Sequence, residues 1–292
     1  MKPRGVFRGG IALATLGSMV ACGATVSVGE APPGHSAVVL AKHPRKREVK
    51  PDHTAAPQAI KVPGCPFPAR TPITSAPGQG RTVALTFDDG SSAYTPQILA
   101  VLKRFHVHAT FFDTGLHDRA FPKDAKAVTA AGDEIGNHTY HHLRNWGYLK
   151  YFPRAVQRAE VADANAVLKP LIGHAPCVMR PPGGAYDAGS LEIVRSMGMS
   201  LVLWTTDAQD WRQPPYLSAS YQQTILKNAE QGIRWTHPIV LMHAGKASSE
   251  PNCGAKKCVS GQVSDFRGNT VAVLARIITF YRDNGYRFVT LS

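Results

Sequence analysis

From Cys65 to the end of the chain, segments with the pattern of β-strands alternate with segments that have helical apolar spacing. Strands joined by helices are usually parallel, because each helix returns the chain to the edge where the previous strand began. The alternation predicts an α/β fold with about seven strands, in a sheet that is either open or closed into a barrel. The predicted strands cover residues 81–87, 109–112, 134–138, 177–180, 200–205, 239–243 and 287–291.

Helices are predicted between these strands, and two prolines help to place them. Pro96 suits the first turn of the first helix, because that position needs no amide hydrogen. Pro170 is expected to end the third helix, because proline lacks the amide donor and its ring collides with the preceding turn. The predicted helices cover residues 95–105, 120–131, 154–168, 190–197, 217–229 and 270–283.

The start of the chain has the pattern of an export signal. Basic residues precede an uncharged and mostly apolar run at 9–21, which predicts a secretory signal peptide at residues 1–21. The four residues that end in Cys22 resemble the lipobox of bacterial lipoproteins, in which the cysteine is acylated after cleavage. We expect an exported protein, either a cell-membrane lipoprotein facing the cell wall or a secreted protein. An uncleaved anchor is the third alternative.

Residues 22–64 have the composition of a tether. They contain six prolines, few large apolar residues and a basic cluster at 42–47. Such a segment cannot bury enough apolar surface to offset the entropy lost on ordering it. Residues 65–292 are therefore expected to form the folded domain.

The whole chain has a net charge of +13, which raises the question of an anionic partner. Part of this excess lies in the predicted signal peptide and tether, and the folded domain shows no element that would enter a nucleic-acid groove. We therefore expect contact with anionic polymers of the cell envelope and no nucleic-acid partner. Membrane contact is expected only through a lipid on Cys22.

The chain has five cysteines, an odd number. If Cys22 carries a lipid, four remain, and in an exported protein an even set suggests disulfides with three possible pairings. Cys253–Cys258 would close a short loop and leave Cys65–Cys177 to join the tether to the domain. A zinc site at Cys253 and Cys258 is the alternative, although two cysteines at this spacing lack further ligands.

Polar residues follow the carboxyl ends of five predicted strands, where α/β folds place their active sites. His138 and His142 are four positions apart, so both can reach one ion, although His141 leaves the ligand register ambiguous. Two imidazoles and one carboxylate leave positions for water, as in a catalytic metal site. Each motif alone is common, but together they indicate catalysis. The residues are Asp88, Asp89, His138, His142, Arg180, Asp207, Asp210, Trp211 and His243.

Asp88 and Asp89 are adjacent at the end of the first predicted strand. On an extended backbone, neighbouring side chains point to opposite faces. One carboxylate could then bind the metal while the other faces the attacking water.

Five ordered segments resemble the motifs of the polysaccharide deacetylases, which form carbohydrate esterase family 4. The resemblance extends over about residues 81–292 and implies a distorted (β/α) barrel with about seven strands. It also implies a metal-dependent hydrolase acting on carbon–nitrogen bonds other than peptide bonds. Such an enzyme removes acetyl groups from a polysaccharide containing N-acetylglucosamine, of cell-wall or chitin type, and releases acetate. The segments are TFDDG at 86–90, HTYHH at 138–142, RPPGG at 180–184, DAQDW at 207–211 and LMH at 241–243.

The resemblance implies a role for each residue of the metal site and for an acid and a base. Asp89, His138 and His142 would bind a divalent metal, with zinc expected. Asp88 would be the general base that takes a proton from the attacking water. His243 would be the general acid that protonates the leaving amine.

The resemblance also implies supporting and substrate-binding residues. Asp210 would orient His243 and keep it protonated, and Arg180 would orient Asp88 and keep it ionised. A backbone N–H at Gly183 would help to hold the oxyanion. Trp211 and Leu241 would form the pocket for the acetyl methyl group.

Three departures from the family pattern bear on the substrate. Gly183 stands where an aromatic residue is common, Ser91 stands where proline is frequent, and the segment from His243 to Thr270 is longer than usual. Two alternatives to the N-deacetylase therefore stay open. One is an O-deacetylase of acetylated xylan, and the other is an inactive carbohydrate-binding envelope protein.

Overall fold

A computed structural model of the protein describes residues 61–143, 149–252 and 262–292. The predicted signal peptide, Cys22, most of the predicted tether, and Cys253 and Cys258 lie outside the described residues. Among the residues that are described, no helix combines the length and the apolar composition needed to cross a membrane.

The described strands form one sheet in which every pairing is parallel. Seven strands lie side by side in the order β5-β4-β3-β2-β1-β7-β6, and β8 pairs with the start of β1. The sheet curls into a half-barrel, which confirms the predicted distorted α/β barrel. The strands are β1 (Thr82–Gly90), β2 (Thr110–Asp113), β3 (Glu134–Asn137), β4 (Val178–Met179), β5 (Ser200–Leu201), β6 (Thr206–Asp207), β7 (Ile239–His243) and β8 (Arg287–Phe288).

The strand predicted at 200–205 is wrong in one respect. Only residues 200–201 form a strand there (β5), and the chain then passes to the other edge of the sheet, where residues 206–207 form β6. β5 pairs with β4, whereas β6 pairs with β7 on the opposite edge. Between them the backbone changes partners: the amide of Leu203 donates to Ile73, and that of Thr205 donates to Ile239. A continuous apolar run therefore connects the two edges, which curls the sheet.

The described part of the chain has seven α-helices around this sheet, one more than the sequence predicts. The additional helix is α2, which ends at Ala120, and the predicted helix at 120–131 corresponds to α3. Phe121 separates the two helices, because Pro122 disfavours helical geometry in the residue before it. The helices are α1 (Thr95–Phe105), α2 (Gly115–Ala120), α3 (Pro122–Ala130), α4 (Arg154–Ile172), α5 (Ala188–Ser196), α6 (Ala219–Glu230) and α7 (Gly268–Asp283).

The expected end of α4 before Pro170 is also wrong. Pro170 lies inside the last turn, and the helix continues to Ile172. Gly173, with a φ of 85°, ends the helix because glycine adopts the left-handed conformation without a steric penalty.

The core lies between the sheet and its helices, with β1 at the centre. All nine residues of β1 are buried. Phe87 on β1 stacks on Phe111 of β2 with ring centroids 5.1 Å apart, and fully burying such a side chain contributes about 2–3 kcal/mol. The central strand is thus fixed on both edges, and so is the position of the Asp88-Asp89 pair at its carboxyl end.

Cys65 and Cys177 form a disulfide, as one of the three predicted pairings requires. Cys177 directly precedes β4, and Val62 packs with both cysteines in a small buried cluster. The bond therefore attaches the last described residues of the predicted tether to the strand that leads to Arg180.

Replacing both Cys65 and Cys177 by alanine is expected to lower the free energy of unfolding by about 2–5 kcal/mol. The reason is that the unfolded chain regains the freedom of a loop between residues 112 positions apart. Urea denaturation under oxidising conditions, with the wild-type protein as reference, measures the loss. An unchanged transition midpoint would show that the bond adds nothing to stability.

Candidate active site

The carboxyl ends of the strands surround a cavity of about 190 Å³. Eight of the ten residues with a predicted role line it, and the other two, Arg180 and Asp210, are buried behind it. The structure also places Trp204, Asp207 and Glu250 on the wall. The eight predicted lining residues are Asp88, Asp89, His138, His142, Gly183, Trp211, Leu241 and His243.

Asp89, His138 and His142 could together hold a metal ion. One donor atom from each lies within 4.8 Å of the other two, and all three residues are buried. The Nε2 atoms of both histidines are 3.7 Å from Asp89 Oδ1, which has no hydrogen-bond partner among the described residues. A buried carboxylate oxygen without a partner, facing two imidazole nitrogens, fits a divalent cation.

His141, the other histidine of this motif, does not join the cluster. Its Nδ1 lies 2.7 Å from Glu160 Oε1, and its backbone amide donates to Glu160 Oε2 at 2.9 Å. Glu160 thus directs His141 toward α4, whereas His138 and His142 face Asp89.

The backbone at Asp89 departs from the extended geometry considered for the two adjacent aspartates. Asp89 has a φ of 63° and is the extra residue of a β-bulge in the pairing of β1 with β2. A bulge re-aims the side chains next to it. As a result, Asp88 Oδ2 and Asp89 Oδ1 both lie 3.7 Å from the same atom, His138 Nε2.

His138 is held in the orientation that a metal ligand needs. Its Nδ1 donates to the carbonyl oxygen of Arg180 at 2.7 Å, so the proton lies on Nδ1 and the lone pair of Nε2 faces Asp89. Burial lowers the pKa of His138, which favours the neutral imidazole. Burial of Asp89 is outweighed by the charges of His142 and His138, which lower its pKa to about 2.

Arg180 holds Asp88 from behind the cavity. The guanidinium is fully buried, and its Nη1 donates to Asp88 Oδ1 at 2.7 Å and to Thr86 Oγ1 at 2.8 Å. One carboxylate oxygen of Asp88 is therefore paired with a cation, while Oδ2 remains on the side of His138. An ionised carboxylate fixed in this way can accept a proton from a water molecule in the cavity.

His243 and Asp210 form a second charged pair across the cavity. Asp210 accepts from His243 Nδ1 at 2.7 Å, from the His243 backbone amide at 2.9 Å and from Thr270 Oγ1 at 2.8 Å. Burial opposes the charge on the imidazole, but the carboxylate of Asp210 outweighs it and raises the pKa of His243 to about 9. A protonated imidazole at the cavity wall can donate a proton to a substrate.

Besides Glu250, the cavity residue that sequence reasoning missed is Trp204. Its ring lines the cavity and packs on the Arg180 motif so closely that a Cβ at Gly184 would lie 2.8 Å from it. Trp204 sits where the chain passes from β5 to β6. It is the last large residue of a run that predicts a strand, and the change of partners within that run is not visible in the sequence.

The comparisons with known proteins agree with this geometry. The sequence model of the polysaccharide deacetylase family matches residues 75–202. A peptidoglycan-N-acetylglucosamine deacetylase from Bacillus cereus is 32% identical over 219 residues, which cover 74% of this chain and 89% of that protein. The chain belongs to the polysaccharide deacetylase family. The family, the enzyme class and the fold that the sequence predicts are thereby confirmed.

Two further similarities bear on substrate and on activity. A chitooligosaccharide deacetylase from Sinorhizobium fredii is 30% identical over 207 residues, which cover 70% of this chain and 87% of that protein. The crystal structure of a mutant of a Bacillus anthracis pseudoenzyme of carbohydrate esterase family 4, with restored enzymatic activity, is similar with a TM-score of 0.60. It is 25% identical and covers 76% of this chain and 70% of that one.

A pair of buried acids, Asp113 and Asp118, lies beneath the turn that follows Asp89. Asp118 Oδ1 accepts from the backbone amide and the hydroxyl of Ser91, at 3.1 and 2.8 Å. Burial raises the pKa of Asp118 to about 6, and burial together with the charge of Asp118 raises the pKa of Asp113. The folded state therefore favours a proton on this pair.

Because of the buried pair Asp113 and Asp118, we expect the folded protein to become less stable as the pH rises. Between the ordinary aspartate pKa of about 4 and the raised pKa, the folded state binds more protons than the unfolded state. The free energy of unfolding should thus decrease as the pH rises through about 6. Asp118→Asn removes one of the two acids, so its melting temperature should decline less between pH 4 and 7.

Asp163→Asn, on the exposed face of α4, is the matched control for thermal melts over this pH range. Its melting curve should follow that of the wild type at each pH. If Asp118→Asn and wild type lose stability in parallel, the acid pair does not hold the extra proton.

Proposed function

We propose that this deacetylase removes acetyl groups from the N-acetylglucosamine units of a cell-wall glycan or chitin-type polysaccharide and releases acetate. The observation that carries the proposal is the arrangement of one cavity. A buried Asp-His-His cluster lies between an arginine-held carboxylate and an aspartate-held imidazole. The named relatives act on peptidoglycan N-acetylglucosamine or chitooligosaccharide, which supports this substrate class.

Asp89, His138 and His142 would hold a divalent metal, and we propose zinc. Two imidazole nitrogens and one carboxylate oxygen are donors that zinc accepts, with positions left for water and substrate. When bound, the metal would polarise the acetyl carbonyl and lower the pKa of water.

Asp88 acts as the general base in this proposal. Arg180 pairs with Oδ1 by a charge-assisted hydrogen bond, which leaves Oδ2 for the attacking water. The water oxygen forms a bond with the acetyl carbon while Asp88 takes its proton. The backbone N–H of Gly183, at the wall of the cavity, helps to hold the negative charge that develops on the carbonyl oxygen.

His243 acts as the general acid. Its hydrogen bond to Asp210 fixes the ring and leaves the other ring nitrogen toward the cavity. As the carbon–nitrogen bond breaks, this nitrogen gives its proton to the leaving amine, and acetate departs from the carbonyl side. Trp211 and Leu241 form the apolar wall for the acetyl methyl group.

We also propose that the enzyme works outside the cell. A relative acts on peptidoglycan, and an enzyme with a cell-wall substrate must be exported to reach it. The signal pattern at residues 1–21 agrees with export. Acylation of Cys22 would keep the protein at the membrane facing the cell wall, with residues 22–64 as its tether and 65–292 as the catalytic domain. Without acylation the protein would be secreted.

Acetate release from a panel of acetylated glycans tests the substrate. Peptidoglycan fragments and chitooligosaccharides are expected to release acetate and to expose free amines, whereas acetylated xylan is expected to release little. Chelation should abolish the release, and added Zn²⁺ should restore it. Turnover of xylan alone would favour the O-deacetylase, and no turnover on any glycan would favour an inactive binding protein.

Asp88→Asn and His243→Ala are each expected to lower kcat by a factor on the order of 10² or more, because each removes one proton transfer. Both variants should remain folded, with a lower melting temperature, because each leaves a buried charge, that of Arg180 or of Asp210, without its ionic partner. His141→Ala is the matched control, because this histidine of the same motif faces Glu160. Wild-type kcat in either of the first two variants would contradict the assigned role.

A further inference from the structure

Two of the three candidate metal ligands have a backbone conformation that their side chains disfavour. Asp89 has a φ of 63° and His142 a φ of 54°, both in the left-handed region. Residues other than glycine seldom adopt this region and do so only where the surrounding structure holds them. The contacts that hold these two residues therefore bear directly on the metal site.

The carbonyl oxygen of Asp89 is held by His117. The Nδ1 atom of His117 lies 3.0 Å from this oxygen, and because a carbonyl can only accept, the ring must donate. On another side Gly245 approaches so closely that a Cβ there would lie 2.2 Å from the same oxygen. The left-handed turn at Asp89 is thus enclosed by α2 and by the loop after β7.

His142 is held in the same way by Ser249. The hydroxyl of Ser249 lies 2.5 Å from the carbonyl oxygen of His142 and 3.5 Å from His142 Nδ1. Because the hydroxyl donates to the carbonyl, its lone pairs are left to accept from Nδ1–H. The long 3.5 Å contact is compatible with a proton on Nδ1, and Nε2 lies 3.7 Å from Asp89 Oδ1.

Both donors stand on segments that are themselves fixed. In α2, the amides of Gly115 and Leu116 donate to the carbonyls of Thr139 and Tyr140, within the motif that carries the two histidine ligands. His117 therefore sits on a helix that is attached to both ligand-bearing turns.

The loop that carries Ser249 is fixed by two cations. Arg267 Nε donates to the carbonyl of Gly245 at 2.7 Å. Lys246 Nζ donates to the carbonyls of Ala247 and Glu250, at 2.9 and 2.6 Å. Ser249 is thus presented to His142 by a loop that these side-chain hydrogen bonds stabilise.

We propose that His117 and Ser249 are positioning residues of the metal site, which hold Asp89 and His142 in their left-handed conformations by hydrogen bonds to the carbonyl oxygens. The proposal rests on the proposed function, because it requires that Asp89 and His142 bind the metal. Neither His117 nor Ser249 belongs to the five motifs that carry the family resemblance.

Zn²⁺ affinity of the full-length protein, measured by competition with a chromogenic chelator, tests the proposal. His117→Leu and Ser249→Ala should each weaken the affinity by about 10–100-fold, as loss of a group that orients a ligand does. His117→Asn and Ser249→Thr keep a donor and should recover most of it. Ser248→Ala is the matched control, since Ser248 donates to the carbonyl of His141, which is not a ligand.

Saturating Zn²⁺ should return most of kcat to His117→Leu and Ser249→Ala, with KM for the glycan unchanged. A residue that mattered only for general stability would lower the melting temperature without this rescue by metal. Ser249 lies on a surface loop, so its variants decide the proposal even if His117→Leu fails to fold.

His138→Ala separates this inference from the proposed function. If His138→Ala abolishes Zn²⁺ binding while His117→Leu and Ser249→Ala keep wild-type affinity, the positioning role is wrong and the metal site stands. If His138→Ala binds Zn²⁺ like the wild type, the metal site itself is wrong and the inference fails with it.

Discussion

The guanidinium of Arg180 joins parts of the barrel that are distant in sequence. It donates to Thr86 and Asp88 on the central strand, and its Nη2 donates at 3.0 Å to the carbonyl of Leu203, where the chain passes between the two sheet edges. The group also lies over the ring of Phe112, 4.1 Å from the centroid. A buried cation that lost its partners would cost about 3–5 kcal/mol. The curl of the sheet and the position of the Asp88 carboxylate therefore depend on the same side chain.

The ionisable groups of the cavity also differ in the charged group that each one faces. Asp88 faces a permanent cation, which suits the base role proposed for it, whereas His243 faces the buried carboxylate of Asp210, which suits the proposed role of acid. Asp89 faces the Nε2 atoms of His138 and His142 at 3.7 Å instead, and its Oδ1 accepts a hydrogen bond from no described donor. Three carboxylates within one small volume thus have three environments, and the unpaired one is the carboxylate that a cation would complete.

Much of this arrangement could be predicted because it depends on local sequence and on one rule of topology. Apolar runs and helical spacing place most of the strands, and parallel strands bring their carboxyl ends to one edge. Asp88, His138 and His243 follow three different strands, so their meeting in one cavity follows from the fold alone. The Cys65–Cys177 pairing was one of three alternatives, and only the tertiary structure could select it.

The remaining features could not be predicted because they arise from contacts between distant segments. Trp204 reaches the cavity only because residues 200–205 change hydrogen-bonding partners between the two edges of the sheet. The composition of these residues is that of an ordinary strand. His117 meets Asp89 across 28 positions and Ser249 meets His142 across 107 positions, and neither His117 nor Ser249 belongs to a motif. A left-handed aspartate or histidine has no local sequence signal, since its cost is offset by tertiary contacts. Strand-end motifs can therefore identify the reacting groups, while the precision of their geometry depends on residues that only the folded chain brings near.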